Sequence, residues 1–354
     1  MAVNISTSTE ALDNNERSTP ITTQSPGEIN VFFAIFLPFI SVMIIISNAA
    51  VIVAFNKVPF LALKPRDLLI LNLTVSDFVT GWVLLILITP YFIIGYWPYG
   101  EVGCMFAVCL TVFILSVSLS TLCAISVDRV KLVATEYTRY VQWQSLNRIK
   151  TIIVICWTMS FIPVILELSL WKLAKLISIE ASLLNFKNTC MSPGRFIIPF
   201  SLFIFLAFSL IPFVVIGTSS AIFVFFFRKQ LKKRQRISTS EVTTRIARQI
   251  PRLEPNVIPI ESFRMKDRYM KPAITLAVLV FGMGVCMTPY CVYIIVGAIC
   301  PTCVADIDSN SRFSFLLLMY VNSLLNPLLY SMTQRRISRF YKTKLRHFYI
   351  HCTQ

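Results

Sequence analysis

The sequence has few charged residues, few histidines and few glycines for its length. Only 14% of its 354 residues are charged and its mean hydropathy is +0.70, whereas a soluble domain carries about 25% charged residues. Such a chain cannot cover a water-facing surface, and it is too apolar to stay disordered. The only two histidines, His347 and His351, lie near the C-terminus, which excludes a histidine-rich metal hydrolase. The 10 glycines against 28 phenylalanines favour apolar membrane helices over a polar-lined barrel.

Seven apolar stretches divide the chain, and each can cross a bilayer as a helix of about 20 residues. In lipid, only a helix or a closed barrel satisfies the backbone hydrogen bonds. The sequence therefore predicts an all-α membrane protein with a seven-transmembrane helix bundle. No room remains for a large catalytic domain, so an enzyme is not expected. The predicted spans are Val31–Phe55, Leu68–Tyr91, Met105–Val127, Thr151–Leu170, Phe196–Phe227, Ala273–Ile299 and Phe313–Met332.

Polar segments divide the chain into three regions. Residues 1–30 are predicted to form an N-terminal tail, and residues 31–332 the bundle, with a long loop at 228–271. No cleaved signal peptide is visible, so the first span is expected to serve as the insertion signal. Residues 333–354 are predicted to form a short amphipathic helix and a tail, since basic residues surround an apolar face, a pattern typical of helices on an anionic lipid surface. That face consists of Ile337, Tyr341, Leu345 and Phe348.

The basic residues predict the orientation in the membrane. Of the 33 lysine and arginine residues, 27 fall in the first, third and fifth loops and in the C-terminal tail. Cytoplasmic loops carry such an excess, so we expect an extracellular N-terminus, a cytoplasmic C-terminus and a place in the plasma membrane. The net charge of +16 is then explained by the basic residues of the cytoplasmic loops and tail, so nucleic acid is not an expected partner. The sequon at Asn4 lies on the side where glycosylation occurs.

Four of the ten cysteines fall in segments assigned to the outer face, where disulfides form. We predict one disulfide between Cys104, at the start of the third span, and Cys190 in the second outer loop. A second is predicted between Cys300 and Cys303. A Cys-x-x-Cys pair also occurs in metal and redox sites, but this one stands alone without a nearby histidine. Beyond the last span, Cys352 is a candidate for palmitoylation.

An aspartate within a span predicts a functional centre, because burying a charge in lipid costs about 2.5–3.5 kcal/mol on insertion scales. Asp77 lies in the second span, and Ser118, Asn322 and Ser323 are the polar residues expected to converge on it. One carboxylate with several neutral oxygens favours a sodium ion, which would act as an allosteric ligand. The alternatives are a water-filled polar network without an ion and a protonated Asp77.

The inner ends of two spans carry a second set of polar residues. Asp128 and Arg129 end the third span, and the guanidinium can exchange a local ion pair for an outside partner. The alternative is an arginine that extends towards water at a helix end. In the seventh span Pro327 bends the helix, Asn326 can satisfy the freed backbone groups, and Tyr330 follows towards the cytoplasm.

Taken in order, these motifs resemble those of the rhodopsin-like (class A) family of G-protein-coupled receptors, from about residue 31 to 350. The resemblance implies a receptor that binds a small molecule from outside and activates a heterotrimeric G protein. Features close to amine receptors of the muscarinic and histamine type are the segment 95–100, Tyr320 and the Cys-x-x-Cys pair. The motifs that carry the family resemblance are Asn48, the segment 72–77, Cys104, Asp128-Arg129, Trp157, Pro212, Pro289 and the segment 326–330.

Several residues differ from the pattern of amine receptors, and these differences bear on which ligand is expected. Thr111 stands where those receptors place the aspartate that binds the ammonium group, and without that counter-ion a cation would be costly to desolvate. Met287 replaces the usual tryptophan of the sixth span, and Ser220 and Tyr269 replace two further residues of the activation machinery. The predicted pocket is mostly apolar, and it is lined by Thr111, Val112, Leu115, Ile204, Phe208, Met287, Tyr290, Cys291, Leu316 and Tyr320.

Glu167, in the outer part of the fourth span, is the other carboxylate within a predicted span. It could anchor a cation in place of the missing aspartate, but a position at the lipid interface or against a loop is favoured from the sequence.

The functional hypothesis is a receptor for an extracellular ligand of unknown identity. The competing hypothesis is a receptor-shaped protein that a ligand does not switch. Such a protein would be constitutively active, a decoy or a scaffold. The altered residues Met287, Ser220 and Tyr269 support this alternative. A transporter would show two related halves, and the sequence has no such repeat.

Overall fold

A computed structural model describes residues 31–56, 64–135, 137–176, 190, 210–247, 282–297, 299–300, 303, 307, 309–333 and 337. Nearly all of these residues are helical and none forms a β-strand, which confirms the predicted all-α class. The helices are α1 (Val31–Asn56), α2 (Pro65–Val83), α3 (Thr89–Ile94), α4 (Gly100–Ala134), α5 (Tyr137–Trp143), α6 (Leu146–Met159), α7 (Phe161–Leu176), α8 (Ile211–Ala247), α9 (Gly282–Gly297) and α10 (Ser309–Thr333).

The apolar helices match the seven predicted spans. Among the described residues, six helical segments are long and apolar enough to cross a membrane, and the shorter apolar α9 corresponds to the sixth predicted span. We call the end of the bundle that contains Cys104 the outer end and the end that contains Arg129 the inner end.

Several helices run beyond the apolar stretches that predicted them. The largest difference is in α8, which continues to Ala247, whereas the sequence predicted a loop from Arg228. The lysines, arginines and glutamines after Phe227 are good helix formers, so the backbone continues its internal hydrogen bonds past Phe227. The part of the predicted fifth span before residue 210 lies outside the described residues.

A π turn at Leu84–Ile88 separates α2 from α3. Its cause is Pro90, which has no N–H to donate to the carbonyl of Ile86 four residues earlier. That carbonyl instead accepts a hydrogen bond from the Tyr99 hydroxyl at 2.5 Å, and the Thr89 hydroxyl donates to Leu84 O at 2.9 Å. Both carbonyls of the interrupted helix therefore have side-chain donors, so the turn is a stable feature of the outer end.

Helix α4 is the centre of the bundle and packs against α2, α6, α7 and α8. One apolar cluster towards the inner end joins Leu122 of α4 to Ile216 of α8, Met283 of α9 and Tyr330 of α10. Because these residues come from helices far apart in the chain, side-chain packing around α4 holds this end together.

Gly81 permits the closest approach between α1 and α2. A Cβ atom added there would lie 2.8 Å from Ile45 Cγ1 and 3.2 Å from the Ile45 backbone nitrogen. We expect Gly81→Ala to lower the stability of the protein by about 1–3 kcal/mol, since α1 must move outward. A lower temperature of thermal unfolding in detergent would show this.

The matched control is Gly217→Ala on α8. A Cβ at Gly217 has no atom within 4 Å, and alanine favours a helix over glycine by about 0.5–1 kcal/mol. The control should therefore unfold at the same or a slightly higher temperature. Equal unfolding temperatures for the two variants would contradict the proposed close contact between α1 and α2.

Candidate functional site

Asp77 of α2 is fully buried at the centre of a polar cluster. Its Oδ2 atom accepts a hydrogen bond of 2.7 Å from Asn326 Nδ2 of α10, and the Ser323 hydroxyl adjoins the same carboxyl group. Asn322 is also buried in the preceding turn of α10. Residues of α2 and α10 therefore meet at Asp77.

Two contacts connect this cluster to further helices. Asn48 of α1 donates from Nδ2 to the backbone oxygen of Ser323 at 3.1 Å. The hydroxyls of Ser76 on α2 and Ser118 on α4 are 3.0 Å apart. Ser118 thus meets Asp77's neighbour Ser76, one residue away in α2, and the cluster joins α1, α2, α4 and α10.

Three oxygen atoms of this cluster have no hydrogen-bond partner among the described residues: Asp77 Oδ1, Asn48 Oδ1 and Asn326 Oδ1. Buried oxygens without a donor are costly, and a carboxylate with amide oxygens is a donor set that suits a hard cation. The residues present therefore fit a sodium ion, and they equally fit water molecules that donate to the same oxygens.

A neighbouring network fixes α2 against α4 and α6. Asn72 donates from Nδ2 to Thr121 Oγ1 and accepts from Trp157 Nε1, both at 2.8 Å. The sequence marked Asn72 and Trp157 only as family landmarks and did not predict this contact or Thr121. Each residue is polar in an apolar span, and that was the available signal.

At the inner end, Arg129 is 4% exposed, which excludes the alternative of a side chain extending into water. Its NH1 atom lies 3.4 Å from Asp128 Oδ2 but has no hydrogen-bond partner among the described residues. The hydroxyl of Tyr330 on α10 is also buried and is without a partner in the described part of the chain. The inner end thus contains strong donors whose hydrogen-bonding capacity is only partly used.

Helix α5, which the sequence did not predict, holds Asp128 from the other side. Tyr140 donates its hydroxyl to both carboxylate oxygens at 3.3 Å, and Gln144 Nε2 donates to Oδ1 at 2.8 Å. The segment is anchored by Trp143, whose ring lies 4.1 Å below the Lys131 Nζ atom. Asp128 therefore shares its charge between Arg129 and α5.

We expect Tyr140→Phe to loosen α5. Both hydrogen bonds to Asp128 are lost while the ring keeps its buried position, so the local opening free energy should fall by about 1 kcal/mol or more. Faster hydrogen exchange of the amides in residues 137–143 measures this effect. Tyr96→Phe, which changes an exposed tyrosine at the outer end, should leave that exchange unchanged, and an unaffected Tyr140→Phe would refute the role of this hydroxyl.

The outer half of the bundle brings part of the predicted pocket together. Met287 of α9 is buried in a cluster with Leu115 of α4 and Cys291 of α9, and the Tyr320 hydroxyl of α10 adjoins that of Thr111. Tyr290 lies near Tyr320. Val112 and Leu316 are half-buried, whereas Ile204 and Phe208 lie outside the described residues.

Glu167 of α7 is buried, so it does not lie at the lipid interface, which was one of the two positions that the sequence favoured. Its side chain is 6% exposed, and it lies in the same part of the bundle as Tyr290 of α9 and Cys109 of α4. The fourth predicted span is divided at Ser160 into α6 and α7.

Two disulfides close the outer end, and they join the predicted pairs. Cys104 is bonded to Cys190 and Cys300 to Cys303, with Cα–Cα distances of 5.4 and 5.3 Å. Cys104 also packs with Trp97 and Trp171, so the bond fastens residue 190 over the end of α4. The predicted modification sites Asn4 and Cys352 lie outside the described residues.

Comparisons with known proteins agree with this architecture. The family described as "7 transmembrane receptor (rhodopsin family)" matches residues 47–330. The chain is 27% identical over 319 residues to a D(1)-like dopamine receptor of Takifugu rubripes, covering 84% of this chain and 66% of that protein.

Two shorter matches concern related proteins. Identity is 26% over 149 residues to a D(2)-like dopamine receptor of the same species, and 26% over 130 residues to the D(2) dopamine receptor A of Xenopus laevis. They cover 42% and 37% of this chain and 32% and 29% of the relatives. The chain thus spans at most about two thirds of the length of these relatives.

Proposed function

Since the chain belongs to the rhodopsin family of seven-transmembrane receptors, we propose that it converts the binding of an extracellular ligand into activation of a heterotrimeric G protein. The relatives named above are receptors and not enzymes. The observation that carries the proposal is the inner end, where buried Arg129 and Tyr330 have donor atoms without partners among the described residues. Such donors suit a bundle that exchanges one set of contacts for another when a partner binds.

The proposed movement is an outward swing of the inner half of α9. Pro289 removes one backbone hydrogen bond from α9, and the Thr288 hydroxyl donates to Gly284 O at 2.6 Å just before it. Towards the inner end, a Cβ at Gly282 would lie 3.3 Å from the side chain of Leu325 on α10. Helix α9 therefore lacks one backbone hydrogen bond at the proline and has a close contact that an outward swing would release.

This swing would open a cleft at the inner end for the G protein. Its walls would include Asp128 and Arg129 of α4, Tyr330 of α10 and α5, with Asn326 and Pro327 at the bend of α10. The guanidinium of Arg129 would leave Asp128 for a carbonyl or carboxylate of the G protein, since an arginine offers several donors in fixed geometry. Tyr140 and Gln144 would keep Asp128 hydrogen-bonded in both states.

The ligand site of the proposal is the outer pocket with Thr111, Val112, Leu115, Met287, Tyr290 and Tyr320, together with Ile204 and Phe208. A pocket of this kind, mostly apolar with a few hydroxyls, suits a small molecule with a hydrophobic body. The chain resembles amine receptors outside the pocket, while Thr111 makes the pocket itself atypical.

A sodium ion between Asp77, Ser118, Asn322 and Ser323 is a further part of the proposal. The unpaired oxygens of Asp77, Asn48 and Asn326 support it and add two ligands that the sequence did not suggest. When bound, the ion would supply positive charge to the buried carboxylate, and Asp77 would hold α2 and α10 together through Asn326.

The proposed topology is an extracellular N-terminus and a cytoplasmic C-terminus in the plasma membrane. The two disulfides at the outer end support it, since disulfides form in oxidising compartments. Residues 1–30 would then be an extracellular tail with a glycan on Asn4, residues 31–332 the receptor domain, and residues 333–354 a cytoplasmic helix and tail with a lipid on Cys352.

The proposal is tested by a G-protein dissociation assay in cells that express the full chain, with panels of amines, lipids and peptides. Activation by a compound, absent in cells without the receptor, supports a ligand-driven receptor. A signal that is high without ligand and that no compound changes would instead indicate constitutive activity. If neither basal nor stimulated dissociation exceeds that of cells without the receptor, coupling to G proteins is refuted.

A further inference from the structure

We propose that the lipid side of α9 carries a binding site for a sterol, in a cavity between this helix and the first turns of α10. The residues assigned above to the ligand pocket and to the inner cleft are not among the described residues that line this cavity. The inference therefore goes beyond the proposed receptor function and does not depend on it. Its occupant is a rigid, neutral lipid with one hydroxyl group, taken up from the surrounding bilayer.

The size of the cavity is the first observation. Its volume is about 740 Å³, within the range of about 300–1,000 Å³ of sites that hold one small molecule. One wall follows α9 from Gly284 to Val296, and at 1.5 Å per residue this wall is about 18 Å long. That length suits a sterol with its side chain. Phe315 of α10 belongs to the second wall, and Cys303 and Ile307 line the cavity beyond the end of α9.

The cavity opens towards lipid. Val285 and Val292 of its wall are 54% and 51% exposed, and Ile299 just beyond α9 is exposed as well. Valine and isoleucine side chains on the outside of a membrane helix contact lipid chains, which are as apolar as they are. A molecule dissolved in the bilayer therefore reaches this site directly.

The polarity of the lining selects a neutral molecule. None of the described residues that line the cavity carries a charge. The Thr288 hydroxyl donates to Gly284 O at 2.6 Å within α9, so this donor is already used. A phosphate or carboxylate head group would find no arginine or lysine partner among these residues. The lining thus favours a lipid without a charged head group.

The shape of the lining favours a rigid ring system over a flexible acyl chain. Val285, Val292 and Val296 form a row of β-branched side chains, which are stiff. The rings of Tyr293 and Phe315, whose centroids are 5.9 Å apart with planes tilted by 38°, form an aromatic surface beside that row. A sterol has a face with methyl groups for the valines and a flat face for the rings. A rigid molecule also loses less conformational freedom on binding than an acyl chain does.

The turn closed by the Cys300–Cys303 disulfide is the polar end of the site. Cys300 N donates to Val296 O at 2.8 Å, and Cys303 N donates to Cys300 O at 3.1 Å. These bonds fix the turn where the cavity ends. Burying a hydroxyl among apolar side chains is costly, so the sterol hydroxyl lies at this turn and the hydrocarbon tail extends towards Gly284.

The test uses the full-length protein in nanodiscs of phosphatidylcholine, with cholesterol that carries a photoreactive diazirine in its side chain. No receptor ligand or G protein is present. We expect irradiation to label residues 284–296 of the wild type, as mapped by mass spectrometry of peptides, although phosphatidylcholine is in large excess. Added unlabelled cholesterol should remove most of this labelling, because the two sterols compete for one site.

Two variants and a control locate the site. Val292→Phe fills the cavity and should reduce labelling of residues 284–296 by about tenfold or more, since the new ring and the sterol cannot occupy the same space. Val214→Phe is the matched control, because Val214 of α8 is 52% exposed and is not among the described lining residues. It should label like the wild type. Phe315→Ala removes part of the aromatic surface and should weaken labelling by about fivefold.

Equal labelling of Val292→Phe and Val214→Phe overturns the proposed site. Labelling that is spread evenly over the lipid-facing helices, or that unlabelled cholesterol does not reduce, indicates contact with bulk lipid only and also overturns it. Equal labelling by a phosphatidylcholine with a photoreactive acyl chain would assign the cavity to an acyl chain and refute the sterol. If Val292→Phe fails to fold, Phe315→Ala and the competition in the wild type still decide. G-protein coupling is measured separately, so either result leaves the proposed function as it stands.

Discussion

Replacing Arg129 with alanine is expected to reduce ligand-stimulated G-protein dissociation about tenfold or more at equal surface expression. The charge-assisted hydrogen bonds that an arginine donates are worth about 1.5–3 kcal/mol, and 1.4 kcal/mol corresponds to a factor of ten. The NH1 atom that we expect to reach the G protein already lacks a hydrogen-bond partner among the described residues. The variant should therefore fail in coupling and not in ligand binding.

The variant should also fold, which makes the experiment interpretable. Asp128 keeps the hydrogen bonds from Tyr140 and Gln144 when the guanidinium is removed, so the carboxylate is not left unpaired. Arg148→Ala is the matched control, because Arg148 is an exposed arginine of the inner end that donates to Trp143 O at 2.6 Å. It should couple like the wild type. Normal coupling of Arg129→Ala would refute the proposed role of the inner cleft.

Asp77→Asn is expected to abolish the stabilisation of the protein by sodium. A ligand present at ten times its dissociation constant stabilises the folded state by about 1.4 kcal/mol, which corresponds to about 3–6 °C in the unfolding temperature of a domain of 150–250 residues. The wild type should show a rise of this size when sodium chloride replaces choline chloride at constant ionic strength. The variant should show none, because asparagine offers the ion a neutral oxygen only.

The geometry of the cluster survives this substitution. Asn326 Nδ2, which is 2.7 Å from Asp77 Oδ2, can donate equally to the amide oxygen of an asparagine. Asp67→Asn, at the N-terminal turn of the same helix, serves as the control and should respond to sodium like the wild type. A wild type indifferent to sodium would favour the water-filled network, and a response that persists in Asp77→Asn would move the ion elsewhere.

The sequence predicted the helices and the polar centre because both depend on local or strongly constrained features. A long apolar run in lipid has to be a helix. A buried aspartate such as Asp77 requires polar neighbours, of which Ser323 is one. The same reasoning identified Arg129 at a helix end. It did not establish its burial, which depends on how α5 and α10 cover that end.

The features that the sequence did not predict depend on packing between distant segments. Helix α5 has seven residues and is too short to be stable alone, so its hydrogen bonds to Asp128 decide its conformation. The burial of Glu167 depends on how α7 packs against its neighbours. The contact of Asn72 with Trp157 depends on the relative rotation of α2 and α6, which no local pattern determines.

The π turn at Leu84–Ile88 has a consequence for how the outer end can change. Phe92 of α3 packs against Phe313 with a ring-centroid distance of 4.1 Å and against Phe33 at 5.2 Å. Adding or deleting one residue in a helix turns everything beyond it by about 100°. An insertion or deletion of one residue in the π turn would therefore rotate Phe92 and the rest of α3 about the helix axis. Asp77, which lies before the turn in α2, would keep its orientation. The π turn thus allows the orientation of the outer end to change while the polar cluster around Asp77 stays the same.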